Sequence, residues 1–144
     1  MEFKVGVRVA AYHSPHSSLA IKNVADLVRI DDDSIPGGEA AFVIIAAMSL
    51  HGVRKAGIEL GESVMVIGLG LLGIFAVQLA RLNGALPVIA VDFNEQRLQM
   101  ASSLGADHAM SPAAGNFKEM LKSLTGGKGV DAVIEVSGNP EAMN

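Results

Sequence analysis

Ser63-Val64-Met65-Val66-Ile67-Gly68-Leu69-Gly70-Leu71-Leu72-Gly73-Ile74-Phe75-Ala76-Val77-Gln78-Leu79-Ala80 is a run of 18 residues whose only polar side chains are Ser63 and Gln78. Its length would allow a short transmembrane helix. Against that, Gly68, Gly70 and Gly73 fall in its middle, where each costs a helix about 1 kcal/mol relative to Ala. The same glycines are what a strand–turn–helix requires, and that punctuation outweighs mean hydropathy. The run therefore reads as a buried strand Val64–Ile67, a turn, and a helix from Leu71 to Leu82 that ends at Asn83-Gly84. No membrane segment is expected.

The pattern repeats downstream. Val88-Ile89-Ala90-Val91 is a second apolar strand, entered through Pro87, and Asn94 to Leu104 is a helix closed by Gly105. His108-Ala109-Met110 can only be a short strand. Asn116 to Leu124 is a third helix, and Asp131 to Val136 a strand leading to Ser137-Gly138. Strands alternating with helices of about a dozen residues predict the α/β class: a partial doubly wound parallel sheet with right-handed crossovers. Upstream, Lys4 to Ala11 places Val5, Val7 and Val9 on one face and reads as a strand. Leu19–Ile21 and Leu27–Ile30 read as further short strands. Asp31-Asp32-Asp33 reads as a solvated turn, and Glu39 to Lys55 as one helix with Gly57 at its C-cap.

Composition narrows the function classes. The chain has 144 residues, 50% of them hydrophobic, so it can bury a core and is not disordered. A net charge of −4, from 11 basic and 15 acidic residues, leaves no basic excess for phosphate backbones, and no nucleic-acid partner is expected. The absence of Cys removes disulfides and every zinc site that needs sulfur. It also fits a cytoplasmic location. Seven Met residues are read as core fillers.

Chemistry is concentrated in Gly68-Leu69-Gly70-Leu71-Leu72-Gly73, which follows a strand and opens a helix. Asp92 ends the next strand 19 residues after the last glycine. Gly68 would allow the tight turn, Gly70 a close approach of a pyrophosphate to the backbone, and Gly73 close packing of the helix on the sheet. The helix begins with unpaired amides and a positive dipole end, which hold a diphosphate without Lys or Arg. Asp92 would accept both hydroxyls of an adenosine ribose and repel a 2′-phosphate, which favours NAD while leaving NADP possible. Arg97, a helical turn further on, could cover the adenine or tolerate that phosphate.

His51-Gly52-Val53-Arg54-Lys55-Ala56-Gly57, Gly61-Glu62-Ser63-Val64 and the glycine turn together resemble the cofactor domain of the medium-chain dehydrogenases/reductases, the zinc-type alcohol and polyol dehydrogenases. Leu104 to His108 and Val130 to Pro140 are similar to that family's later strands, and Val5 to Ala10 to its Gly-Asp-Arg-Val strand, with Val7 in place of Asp. The resemblance implies residues 1–35 as a remnant of a GroES-like catalytic domain and 36–144 as a partial NAD(P)-binding Rossmann domain. It implies Leu72 near the nicotinamide, Asp92 and Arg97 near the adenosine, and Val136, Ser137 and Gly138 along the nicotinamide ribose. The activity implied is hydride transfer between nicotinamide and a small alcohol or carbonyl substrate, by a homo-oligomer.

Two departures qualify this. A Cys, Asp or Glu ligand is expected around Val43-Ile44 in zinc-dependent members, but Phe42-Val43-Ile44-Ile45-Ala46-Ala47 offers none, so zinc is not expected here. The family's sheet has six strands in the order 3-2-1-4-5-6, and only four are read here, which marks the chain as a fragment. No catalytic residue is assigned. The chain alone is expected to be inactive, since nothing in it supplies a general acid or base beside a substrate. A non-catalytic nucleotide-binding or structural module is the main alternative, and an S-adenosylmethionine methyltransferase the next. His13 and His16 are read as an exposed loop pair without a third ligand, and His51 as a helix-face residue.

Overall fold

The computed structural model describes residues 3–15 and 17–143. His16, half of the His13–His16 pair, lies outside them. The chain divides into two units, Met1–Ile44 and Ile45–Asn144.

In the first unit, β1 (Val9–Ala11) pairs antiparallel with β2 (Leu27–Arg29), with Ala10 opposite Val28. The strand expected from Lys4 begins only at Val9. Gly6 has φ +93° and the Val7 amide reaches back to the Lys4 carbonyl at 3.3 Å, so a turn interrupts the alternation. Leu19–Ile21 forms no strand, and Leu19 and Ile21 are almost fully exposed. Alternation without a partner does not make a ladder. Asp32 closes its own turn by accepting from the amide and hydroxyl of Ser34, as a solvated turn should. The single helix expected over 39–55 is two: α1 (Gly37–Ala40) and α2 (Val43–Ala56). Between them the Phe42 amide takes the Glu39 carbonyl at 3.0 Å, tightening α1's exit into a turn.

The second unit carries the parallel sheet. Its strands are β3 (Val64–Ile67), β4 (Val88–Val91), β5 (His108–Met110) and β6 (Ala132–Glu135), in spatial order β5-β4-β3-β6. Helices α3 (Leu71–Leu82), α4 (Glu95–Ser103) and α5 (Phe117–Leu124) make the crossovers. Both faces are covered. Val53 of α2, Ala76, Val77 and Ala80 of α3, and Leu98 and Ala101 of α4 pack on one side with Val64 and Val66. Phe117, Leu121 and Leu124 of α5 pack on the other with Ile89 and Met110. This explains why β4 is apolar throughout: all four of its residues are buried.

Two carboxylates set the register at the amino ends of the strands. Asp131 accepts from the amide and hydroxyl of Ser63 at 2.8 and 2.6 Å, pinning β6 to β3. Asp107 accepts from the Val88 amide at 2.8 Å, pinning β5 to β4, and pairs with Arg81 at 3.1 Å. Of the methionines read as core fillers, Met110 is buried, whereas Met48, Met100 and Met120 are exposed. Among the described residues no helix is long and apolar enough to cross a membrane.

Candidate functional site

The chain steps outward from β3 to β4 to β5, then returns to place β6 on the other side of β3. Such a reversal opens a crevice at the carboxyl ends of the strands. A cleft of about 670 Å³ lies there, bounded by Ile67 at the end of β3, Val91 at the end of β4 with Asp92 just after it, and Val136 just after β6.

The three glycines have three different reasons. Gly68 has φ +89°, and a Cβ on it would come within 2.5 Å of the Ser137 backbone. It is therefore fixed both by the turn and by the segment after β6. A Cβ on Gly73 would lie 1.9 Å from the Gly68 carbonyl oxygen, so its close approach is to the turn itself. Gly70 meets nothing within 4 Å. It stands at the N-cap of α3 with no side-chain cap, so the helix begins open. A small anion could reach the backbone there.

Asp92 faces this turn. Its Oδ2 accepts from the Leu69 amide at 2.7 Å and its Oδ1 from the Asn94 amide at 2.8 Å. Arg97 Nη1 lies 3.6 Å from Oδ2, with the Asp92 side chain 10% exposed. Burial opposes the charged form, yet the two amides and the Arg97 charge together hold the carboxyl below the ordinary aspartate range. Asn94 also caps α4 by accepting from the Arg97 amide at 3.1 Å, and Arg97 itself lines the cleft.

Across the cleft, the Val136 amide extends the ladder to the Ile67 carbonyl at 2.9 Å. Ser137 then turns back, donating its amide at 2.7 Å and its hydroxyl to Glu135 Oε1. These bonds hold the Glu135 carboxyl below its ordinary range. Gly138, at φ +70°, completes the turn.

Of the residues singled out from sequence, Gly68, Gly70, Asp92, Arg97, Val136 and Ser137 line the cleft together. Leu69 does not: its side chain is 1% exposed, and only its amide bears on the site, through Asp92. Leu71 is exposed, Leu72 half-buried, and Gly73 buried beneath the turn. Sequence reading passed over Phe93, Lys118, Asn139 and Glu141, all of which line the cleft. Phe93, directly after the strand-ending acid and 73% exposed, carried a usable signal: a large aromatic with no core to enter.

Residues 42–47 carry only Phe, Val, Ile and Ala side chains. Among the described residues no three His, Asp or Glu side chains come together as a metal site. The described residues do not fit a zinc ion. The His13 ring lies against the Tyr12 ring at a tilt of 50°, and His51 is exposed on α2.

A twisted parallel unit with a glycine turn at its switch point and an acid closing the next strand is a Rossmann-type domain. The zinc-binding dehydrogenase family matches residues 72–144, and the chain belongs to that family. It is 34% identical over 146 residues to D-guloside 3-dehydrogenase of Escherichia coli K12, covering 99% of this chain and 41% of that protein. It is 31% identical over 123 residues to sorbitol dehydrogenase of Bacillus subtilis 168, covering 85% of this chain and 35% of the relative. Among solved structures, a Sinorhizobium meliloti 1021 protein bound to NADP superposes with a TM-score of 0.73 at 32% identity, over 83% of this chain and 35% of that one. The chain thus spans about two fifths or less of the length of these relatives.

Proposed function

We propose that this chain is the nucleotide-binding portion of an NAD(P)-dependent oxidoreductase of the alcohol and polyol dehydrogenase type. The observation that carries the reading is the Asp92 carboxylate joined at 2.7 Å to the glycine turn, beside an amide cradle left open at Gly70. In this reading the amides of Gly70 and the first turn of α3 receive the diphosphate. Asp92 accepts the hydroxyls of the adenosine ribose, Arg97 borders the adenosine, and Val136, Ser137 and Gly138 border the nicotinamide ribose near Leu72. The bound nicotinamide supplies a hydride acceptor or donor for a small alcohol or carbonyl. The chain's own residues bind and orient it, and no step is routed through zinc.

NAD is the preferred cofactor, because an ionised Asp92 repels a 2′-phosphate. Arg97, near that carboxylate, moderates the repulsion and leaves NADP admissible. The same reading assigns residues 1–35 to the catalytic domain and 36–144 to the nucleotide-binding one. It also carries a cytoplasmic site of action, in keeping with the Cys-free sequence, and self-association.

Calorimetric titration of the chain with NADH, NADPH and S-adenosylmethionine tests it. NADH should bind most tightly, NADPH more weakly, and S-adenosylmethionine not at all. Failure of both nicotinamide cofactors would leave only a structural module.

A further inference from the structure

Among the described residues the buried polar side chains are Ser63, 8% exposed, and Ser49, 5% exposed. Ser63 is explained by its clamp to Asp131. Ser49, on α2, lies outside the turn and the cleft. Its Oγ stands 3.1 Å from the Ile45 carbonyl one turn back and 2.9 Å from the Leu72 carbonyl in the first turn of α3. A hydroxyl has one proton to share between these acceptors. The Ile45 contact is the local back-bond available to any helical serine. The Leu72 contact is shorter and joins two helices 23 residues apart in sequence.

Leu72 and Gly73 share one peptide unit. Its carbonyl faces Ser49, and its N–H is the third amide of α3, one of those that an α-helix leaves without an internal acceptor. A hydrogen bond to the carbonyl of a peptide polarises that peptide's N–H, and more so where water is excluded. We propose that Ser49 is a positioning residue for the anion-binding turn. By holding the Leu72 carbonyl it fixes the first turn of α3, whose leading amides the reading above gives to a diphosphate. This role rests on the dinucleotide reading above.

The test uses the 144-residue chain with Ser49→Ala, Ser49→Thr and Ser49→Cys. NADH, ADP-ribose and adenosine are the probes, the last two measured by competition with NADH, and far-UV circular dichroism reports folding. Ser49→Ala should weaken NADH and ADP-ribose roughly three- to tenfold, the scale of one hydrogen bond. It should leave adenosine, which lacks phosphate, unchanged, and Ser49→Thr should restore the loss. If the Ala variant does not fold, Ser49→Cys decides, because its thiol matches the shape and donates weakly. Undiminished ADP-ribose binding in a folded Ala or Cys variant overturns the role, as does an equal loss for adenosine, which marks general loosening. If the unsubstituted chain binds none of the probes, the dinucleotide reading itself falls and this role with it.

Discussion

The carboxylate of Asp92, at the carboxyl end of β4, accepts a 2.7 Å hydrogen bond from the amide of Leu69, inside the turn that follows β3. One oxygen thus ties two neighbouring strands at the point where the cleft opens. Asp92 lines that cleft together with Arg97, Lys118 and Ser137.

Asp92→Ala removes both functions. Losing a charged acceptor for the ribose should weaken NADH roughly ten- to a hundredfold, and the orphaned Leu69 amide should cost about 1–3 kcal/mol of stability. The ratio of NADH to NADPH affinity should fall towards one. Titration with each cofactor, paired with urea unfolding, checks this. An unchanged ratio refutes the ribose role.

The two glycines flanking Leu71-Leu72 should respond oppositely. Gly73→Ala would put a methyl 1.9 Å from the Gly68 carbonyl, and the overpacked turn should lose about 1–3 kcal/mol or more. Gly70→Ala meets open space at an unstrained φ of −69° and should change stability by less than about 0.5 kcal/mol. Its methyl should still obstruct an approaching diphosphate and lower NADH affinity severalfold. A Gly70→Ala chain that binds NADH normally would mean that the ligand does not approach there.

Acid should act on Asp131. Ser63, through its hydroxyl and then its amide, holds this carboxyl below its ordinary value of 3.8. A lowered folded-state pKa gives stability that is complete above the unfolded value and is lost as pH falls through the folded one. Asp131→Asn should therefore be less stable than the unsubstituted chain at neutral pH. The gap should close below about pH 4. A gap of constant size from pH 7 to pH 3 in urea unfolding would show that charge plays no part in the clamp.

At the sheet's edge, β6 pairs with β3 on one side, and Val133 is 47% exposed. An exposed apolar edge strand templates pairing with another chain. Sedimentation should show concentration-dependent association that Val133→Lys reduces. A monodisperse monomer at every concentration contradicts the expectation.

Much of the second unit was legible without coordinates. Val64–Ile67, Leu71–Leu82, Val88–Val91 and His108–Met110 are found where their apolar runs are bounded by Gly, Pro, Asn or Asp. The first unit was less so, because Leu19–Ile21 has strand-like residues and no neighbour to pair with. At the site, Gly68, Gly70 and Asp92 could be read from spacing alone, whereas Lys118, in the first turn of α5, and Glu141, in a short 3-10 helix after β6, reach the cleft from elements whose placement spacing does not give.

In the second unit the sequence alone determined the order of strands and helices, the glycine turn and the acid that closes the next strand. These follow from local backbone preference and hydrophobic period, which act over a few residues. Tertiary structure decided that Leu69 serves the site through its amide while its side chain joins the core. It also decided that Gly73 yields to the Gly68 carbonyl, and that Ser49 meets a carbonyl on another helix. Those contacts depend on how far apart two packed elements come to rest, a distance set by the whole core rather than by any one stretch of chain.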